Sequence, residues 1–227
     1  MSKVIDYILN LCKWPIACFL LFCLPALYKS FDFFDFFTLK FYALGVGIAF
    51  FCFTLLAAGY NMRHSMQIIA HELTHTFFAY LTLHKAGRIR LNPDGSGGSM
   101  LLKGYGNWLI SLSPYFFPLF AFFYMLIMSP LAEATDEHLL LYAILGYFLA
   151  YYWSTVLSQV HVGQTDIIEE GYVFSAIVIV SANMFVTGAI LAYCSQLWQG
   201  VKLYLLLVNK LNVDNIKYIE NLIASYF

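Results

Sequence analysis

The residues best suited to chemistry are His71, Glu72 and His75, which lie in the apolar stretch 68–80. On a helix, residues four apart share a face, so the two histidines can both point a ring nitrogen at one metal ion. Glu72 lies about 100° further round. That is too far for a third ligand but near enough to accept a proton from a water on the metal. The spacing predicts a metal site that activates water.

The surroundings of this motif strengthen the prediction. Ionisable groups at the centre of a membrane helix cost about 2.5–3.5 kcal/mol each on insertion scales, so three within five residues require a compensating role. The alternative is a helix whose histidines only form hydrogen bonds to neighbouring helices.

Composition places the chain in a membrane. It is 61% hydrophobic and only 11% charged, with a mean hydropathy of +0.73, whereas soluble domains carry about 25% charged residues. The net charge of -1 gives no reason to expect nucleic acid as a partner. The five cysteines lie in apolar segments without a Cys-x-x-Cys pair, so they are interpreted as small buried hydrophobes.

Hydropathy predicts an all-α integral membrane protein, a bundle of about six transmembrane helices. The run 14–28 contains two prolines and is short for a crossing, so it either spans or dips into one leaflet. It has no clear cleavage site and is kept as part of the mature protein. The predicted apolar segments are 14–28, 39–60, 65–83 (with the motif), 107–128, 139–158 and 172–194.

The long polar stretch 84–106 is predicted to contain a β-hairpin. Residues 88–91 and 99–102 are strand-like and flank Asn-Pro-Asp-Gly-Ser-Gly-Gly at 92–98. Its functional interpretation is an exposed strand edge that pairs with an extended substrate. The alternative is a plain connecting loop.

Four regions follow from these patterns. Residues 1–38 form an N-terminal amphipathic and first apolar segment, 39–195 an intramembrane core, 84–106 a hairpin loop within that core, and 196–227 an amphipathic C-terminal tail. The loop 84–106 is basic whereas 129–138 is acidic. Because basic loops stay cytoplasmic, the motif helix is expected to end at the cytoplasmic face, on the same side as the loop 159–171.

A catalytic zinc requires a third protein ligand. Asp166 is the first choice because it lies at the start of an apolar span, where a carboxylate is stable only if a partner compensates its charge. His161, Glu169 and Glu170 are the other candidates. A competing interpretation makes Asp166 the N-cap of a helix, with Glu169 as its reciprocal partner.

The His-Glu-x-x-His helix followed by a distant Asp resembles the site-2 protease family of intramembrane zinc metalloproteases. The stretch 87–97, Gly-Arg-Ile-Arg-Leu-Asn-Pro-Asp-Gly-Ser-Gly, is similar to the loop after the motif helix in a small bacterial branch of that family. Better-known members have Leu-Asp-Gly where this chain has Thr165-Asp166-Ile167. The resemblance, over roughly 39–194, implies one Zn²⁺ ion and about six helices.

The resemblance also implies cleavage of a transmembrane helix of another protein within the lipid bilayer, in a bacterial inner membrane with the active site toward the cytoplasm. Glu72 is then the catalytic residue, and His71, His75 and Asp166 are the metal ligands. Two other functions remain. One is a lipid-modifying metalloenzyme, although its di-iron chemistry would need several histidine clusters. The other is an inert membrane scaffold.

Overall fold

The structure, a computed structural model, describes residues 1–57, 60–91, 98–103, 106–134 and 139–224. Two single-turn 3-10 helices, Phe31–Phe33 and Ser113–Tyr115, interrupt the longer elements. The α-helices and strands are α1 (Ser2–Leu11), α2 (Lys13–Ser30), α3 (Leu39–Ala57), α4 (Tyr60–Leu81), β1 (Lys85–Leu91), β2 (Gly98–Lys103), α5 (Trp108–Leu112), α6 (Leu119–Ala134), α7 (Leu139–Gln159), α8 (Thr165–Glu170) and α9 (Tyr172–Ala224).

The predicted all-α membrane fold is confirmed. In the described ranges, α2, α3, α7 and α9 are long and apolar enough to cross a bilayer, and α5 with α6 forms a fifth span if that bent pair is counted as one. The motif helix α4 does not meet this criterion, because the polar residues along it lower its mean hydropathy. When α4 is added to these four or five candidate spans, the number of membrane helices is close to the six that hydropathy predicts.

Two segments differ in detail from the predicted spans. The segment 107–128 is not one helix, because α5 and α6 meet at an angle of 80°. Helix α6 also continues to Ala134, so it extends into the region predicted as an acidic loop. The bend follows from Pro114 and Pro118 at the junction, since proline cannot donate a helical hydrogen bond.

Helix α9 breaks at Gln196 and Leu197, and Leu197 has a φ of 51°. Beyond the break, Tyr204 and Val208 pack with Leu27 of α2 in one apolar cluster. The break coincides with the boundary predicted between the last span and the tail. The tail is therefore the second limb of a bent helix that packs against the bundle.

The predicted hairpin is present in the described residues. Strands β1 and β2 pair antiparallel, with Lys85 opposite Lys103 and Leu91 opposite Gly98, and a register shift between Ala86 and Ile89. Of the turn predicted at 92–98, residues 92–97 lie outside the described residues and Gly98 begins β2. Both strands pack on the motif helix α4.

Helices α3 and α7 cross with their backbones in contact. A Cβ added at Gly47 would overlap the carbonyl oxygen of Ala143, and one at Gly146 would overlap that of Leu44. Small residues permit this approach, and in lipid such close packing is a main source of helix association. The two helices therefore form a tightly joined pair at one side of the bundle.

We expect Gly47→Ala to lower the free energy of unfolding by about 3 kcal/mol, because the added methyl group meets backbone that cannot yield. Thermal unfolding in detergent micelles measures the change. Gly45→Ala is the matched control, since no atom lies within 4 Å of its added Cβ. Equal melting temperatures for the two variants would contradict the proposed crossing.

Candidate metal centre

The motif helix α4 brings His71 and His75 to one point. Their Nε2 atoms lie 3.1 Å apart, and the rings meet edge to face with centroids 4.7 Å apart. Both side chains are buried. The predicted placement of two imidazoles on one helical face is therefore what the structure shows.

Asp166 of α8 reaches the same point. Its Oδ2 lies 3.5 Å from the Nε2 of each histidine. Among the described residues, these three form the one group of His, Cys, Asp or Glu side chains able to hold a metal ion.

The three donor atoms fit a tetrahedral zinc ion. Zinc bonds of 2.0–2.2 Å to nitrogen and oxygen place tetrahedral ligand atoms about 3.3 Å from one another, close to the 3.1 and 3.5 Å separations here. The Nδ1 of His75 lies 2.8 Å from the carbonyl oxygen of Ile110, which only accepts, so the ring proton sits on Nδ1. The Nε2 of His75 thus presents a lone pair toward the Asp166 carboxylate, an arrangement that a cation between them satisfies.

Tyr115 also holds the carboxylate, through the oxygen that faces the two histidines. Its hydroxyl donates to Asp166 Oδ2 at 2.8 Å, and its ring packs edge-on against His71. Tyr115 is fully buried, and its own carbonyl oxygen accepts from Asn183 Nδ2 at 2.7 Å. Such outer partners fix the orientation of metal ligands. Sequence reasoning missed Tyr115, because no local pattern links it to a carboxylate fifty residues away.

Glu72 is buried between α4 and the hairpin. A Cβ added at Gly98 would lie 3.1 Å from Glu72 Cγ and 2.7 Å from Ile68 Cγ2. Glycine at the start of β2 therefore lets the strand approach the motif helix beside the glutamate. The predicted catalytic carboxylate lies where the hairpin meets the metal-binding helix.

The alternative third ligands lie elsewhere. His161 is exposed and its Nδ1 accepts from Gly163 N at 3.2 Å, while Glu169 is exposed on α8. Glu170 forms a 2.7 Å ion pair with Lys13. The N-cap of α8 is Gln164, without a side-chain cap, so the structure does not support Asp166 as the N-cap.

The bend between α5 and α6 leaves a small cavity beside the centre. Its volume is about 20 Å³, and His71, Thr74 and Thr155 contribute polar groups to its wall. That is room for one water molecule. The proline-containing segment thus borders a small cavity next to His71.

Two buried asparagines near the centre, Asn107 and Asn183, both form hydrogen bonds. Asn107 caps α5 through Ile110 N, and Asn183 Nδ2 donates to the carbonyl oxygens of Tyr115 and Ile179. The hydroxyl of Tyr152 donates to Asn183 Oδ1. In this structure, Asn107 therefore fixes the start of α5, and Asn183 fixes the backbone carbonyl groups of Tyr115 and Ile179.

Comparison with known proteins gives one family. The family model described as Peptidase M50B-like matches residues 42–209, about three quarters of the chain. The matched region contains His71, Glu72, His75 and Asp166. No curated protein and no solved structure matches the chain.

We expect Tyr115→Phe to weaken zinc binding by about 10–100-fold, because it removes the hydroxyl that orients Asp166. Competition with a chromogenic chelator measures the affinity. Tyr124→Phe is the control, since its hydroxyl donates to Leu141 O at 2.9 Å and takes no part in the centre. Zinc affinities that agree between the two variants would refute the positioning role of Tyr115.

Proposed function

Because the chain belongs to the Peptidase M50B-like family, a site-2 protease family, we propose that it is a zinc metalloprotease that hydrolyses a peptide bond in or near a transmembrane segment of another membrane protein. The resemblance noted from the sequence is confirmed at the level of the family. The observation that carries the proposal is the convergence of His71, His75 and Asp166 in a helical membrane protein.

In this proposal, His71, His75 and Asp166 hold one zinc ion. Bound there, zinc supplies Lewis acidity to a water molecule and to the carbonyl group of the scissile bond. His75 is held in the required tautomer by Ile110 O, and Asp166 is oriented by Tyr115. The chain's own contribution is thus three oriented donors, two of them buried and the third partly buried.

Glu72 is the proposed general base and acid. It takes the proton from the attacking water, whose oxygen bonds to the carbonyl carbon. As the C–N bond breaks, the same carboxyl group delivers that proton to the leaving amine. Its position next to His71 on α4 supports this role, because consecutive helical residues stay within reach of a common site.

The hairpin supports an extended conformation for the substrate. A transmembrane helix hides its carbonyl groups in hydrogen bonds, so it must unwind locally before hydrolysis. A strand edge offers replacement hydrogen bonds to the freed backbone. Since Gly98 brings β2 against Glu72, a peptide paired to the hairpin would lie beside the catalytic carboxylate.

We place the active site toward the cytoplasmic face, in a bacterial inner membrane. Lys85, Arg88 and Arg90 on β1 support this orientation, since basic residues near membrane ends favour the cytoplasmic side. The partners proposed are the bilayer and a membrane-protein substrate, and nucleic acid is not among them. Within the described residues a single metal-binding group favours this chemistry over a di-iron lipid-modifying enzyme.

Glu72→Gln is expected to lower the rate of cleavage of a membrane-anchored reporter by roughly 10²–10⁴-fold, because the amide cannot accept the proton. Zinc content, measured by atomic emission, should remain near one ion per chain. Glu169→Gln makes the same chemical change at an exposed site and should cleave normally. Full turnover by the Glu72 variant would defeat the general-base assignment.

Asp166→Asn tests the third ligand. We expect zinc binding to weaken by more than about 100-fold, beyond the loss typical of an outer partner, because a direct bond is removed. Chelator competition measures this loss, with His161→Gln as the control for the alternative ligand. Zinc loss in the His161 variant, with Asp166→Asn unaffected, would reverse the assignment.

A further inference from the structure

A buried chain of hydrogen bonds runs from the N-terminal helix to the metal centre. Asp6 of α1 accepts from Asn107 Nδ2 at 2.7 Å through Oδ1, and its Oδ2 lies 3.0 Å from His84 Nε2. Asn107 Oδ1 accepts from Ile110 N at 3.2 Å. The carbonyl oxygen of Ile110 in turn accepts from His75 Nδ1 at 2.8 Å.

We propose that Asp6 is a positioning residue of the metal centre, acting on His75 through Asn107 and Ile110. This inference rests on the proposed function, because it concerns how firmly His75 is presented to zinc. Asp6 makes no contact with the three proposed ligands among the hydrogen bonds and ion pairs of the described residues. Its effect therefore passes through the helix α5.

The chemistry of the asparagine amide explains the first step. Asn107 has a donor end and an acceptor end, and a carboxylate oxygen accepts only. Asp6 therefore selects the Nδ2 end, which turns Oδ1 toward Ile110 N. Because Asp6, Asn107 and His84 are all buried, water does not replace a lost partner cheaply.

The shortness of α5 explains the second step. A helix of five residues has little stability of its own and depends on its ends for its position. The N-cap at Asn107 fixes the end that carries Ile110. When that carbonyl shifts, the ring of His75 loses its orientation, and metal sites tolerate displacements of only about 0.5 Å.

The end of this hydrogen-bond series that lies farthest from the metal centre is also fixed. His84 comes directly after Leu83, whose φ of 60° is a strained conformation for a side chain of this kind. His84 Nδ1 lies 3.0 Å from Thr82 Oγ1, and the backbone N–H of His84 donates to Ala79 O at 2.8 Å. The end of the motif helix thus holds Asp6 against Asn107.

The attachment of α1 to the bundle does not depend on Asp6 alone. Trp108 Nε1 donates to Leu9 O at 2.8 Å, and Trp108 N donates to Asn10 Oδ1 at 3.4 Å. At the start of α2, Lys13 pairs with Glu170 at 2.7 Å. Because α1 has these other contacts, substitutions can show whether Asp6 only anchors α1 to the bundle or also positions His75.

The test uses the full-length chain in lipid nanodiscs, with zinc affinity measured by competition with a chromogenic chelator and stability by thermal unfolding. We expect Asp6→Asn to weaken zinc binding by about 10-fold, the lower end of the range for outer partners, because its amide cannot accept from Asn107 and His84 together. Asn10→Ala removes another contact of α1, a long one of 3.4 Å, and leaves the Asn107 cap in place, so it should weaken zinc binding less than Asp6→Asn does.

A reciprocal exchange provides the rescue. In the double variant Asp6→Asn with Asn107→Asp, the new amide at position 6 can accept from His84 and donate to the carboxylate at 107. That carboxylate can still accept from Ile110 N, since Asp is a good N-cap. Zinc affinity should return to within about 3-fold of the original.

A further variant covers the case in which Asp6→Asn does not fold. Asn107→Ser keeps an N-cap group but is too short to reach Asp6, so it should weaken zinc binding as Asp6→Asn does. The inference is overturned if Asp6→Asn or Asn107→Ser binds zinc like the original. It is equally overturned if the exchange restores nothing, or if Asn10→Ala loses as much affinity.

The proposed function fails in a different way. If the unsubstituted chain binds no zinc, both proposals are overturned. If it binds zinc and cleaves its substrate, and Asp6→Asn binds zinc with the same affinity, only the positioning role of Asp6 is overturned. The two failures are therefore distinguishable in one set of measurements.

Discussion

The structure depends on the meeting of two buried imidazoles and a partly buried carboxylate. The Nε2 atoms of His71 and His75 lie 3.1 Å apart, and each lies 3.5 Å from Asp166 Oδ2, so the lone pair of His75 Nε2 faces the carboxylate at a distance that a cation between them would stabilise. Groups of this kind are expensive inside a membrane, so the surrounding elements must compensate them. Most features near the centre follow from this requirement.

Several elements surround the centre for that purpose. The short helix α5 supplies a carbonyl oxygen to His75, the turn after it supplies the hydroxyl of Tyr115, and α8 carries Asp166 to the site. Irregular backbone at membrane depth is tolerated where it lines a cavity or is buried in protein. The broken pair α5–α6 meets both conditions, since it borders the small cavity beside His71.

The parts of the site that follow from local spacing could be predicted from the sequence. His71, Glu72 and His75 follow from the helical repeat, the hairpin follows from the Gly- and Pro-rich turn, and Asp166 follows from its place before an apolar span. Tyr115 and Asp6 could not be predicted this way, because their partners are 51 and 101 residues distant. The prolines within 107–128 indicate a bend, but neither its angle of 80° nor its direction, which packing selects.

The backbone crossing of Gly47 and Gly146 divides the mechanical properties of the bundle. Helices joined at van der Waals distance of their main chains move as one body, because sliding would lose many contacts at once. Next to this pair, where α6 packs on α7, prolines interrupt the main-chain hydrogen bonds between α5 and α6. Any deformation of the bundle is therefore easier at the proline-interrupted junction of α5 and α6 than at the glycine crossing of α3 and α7.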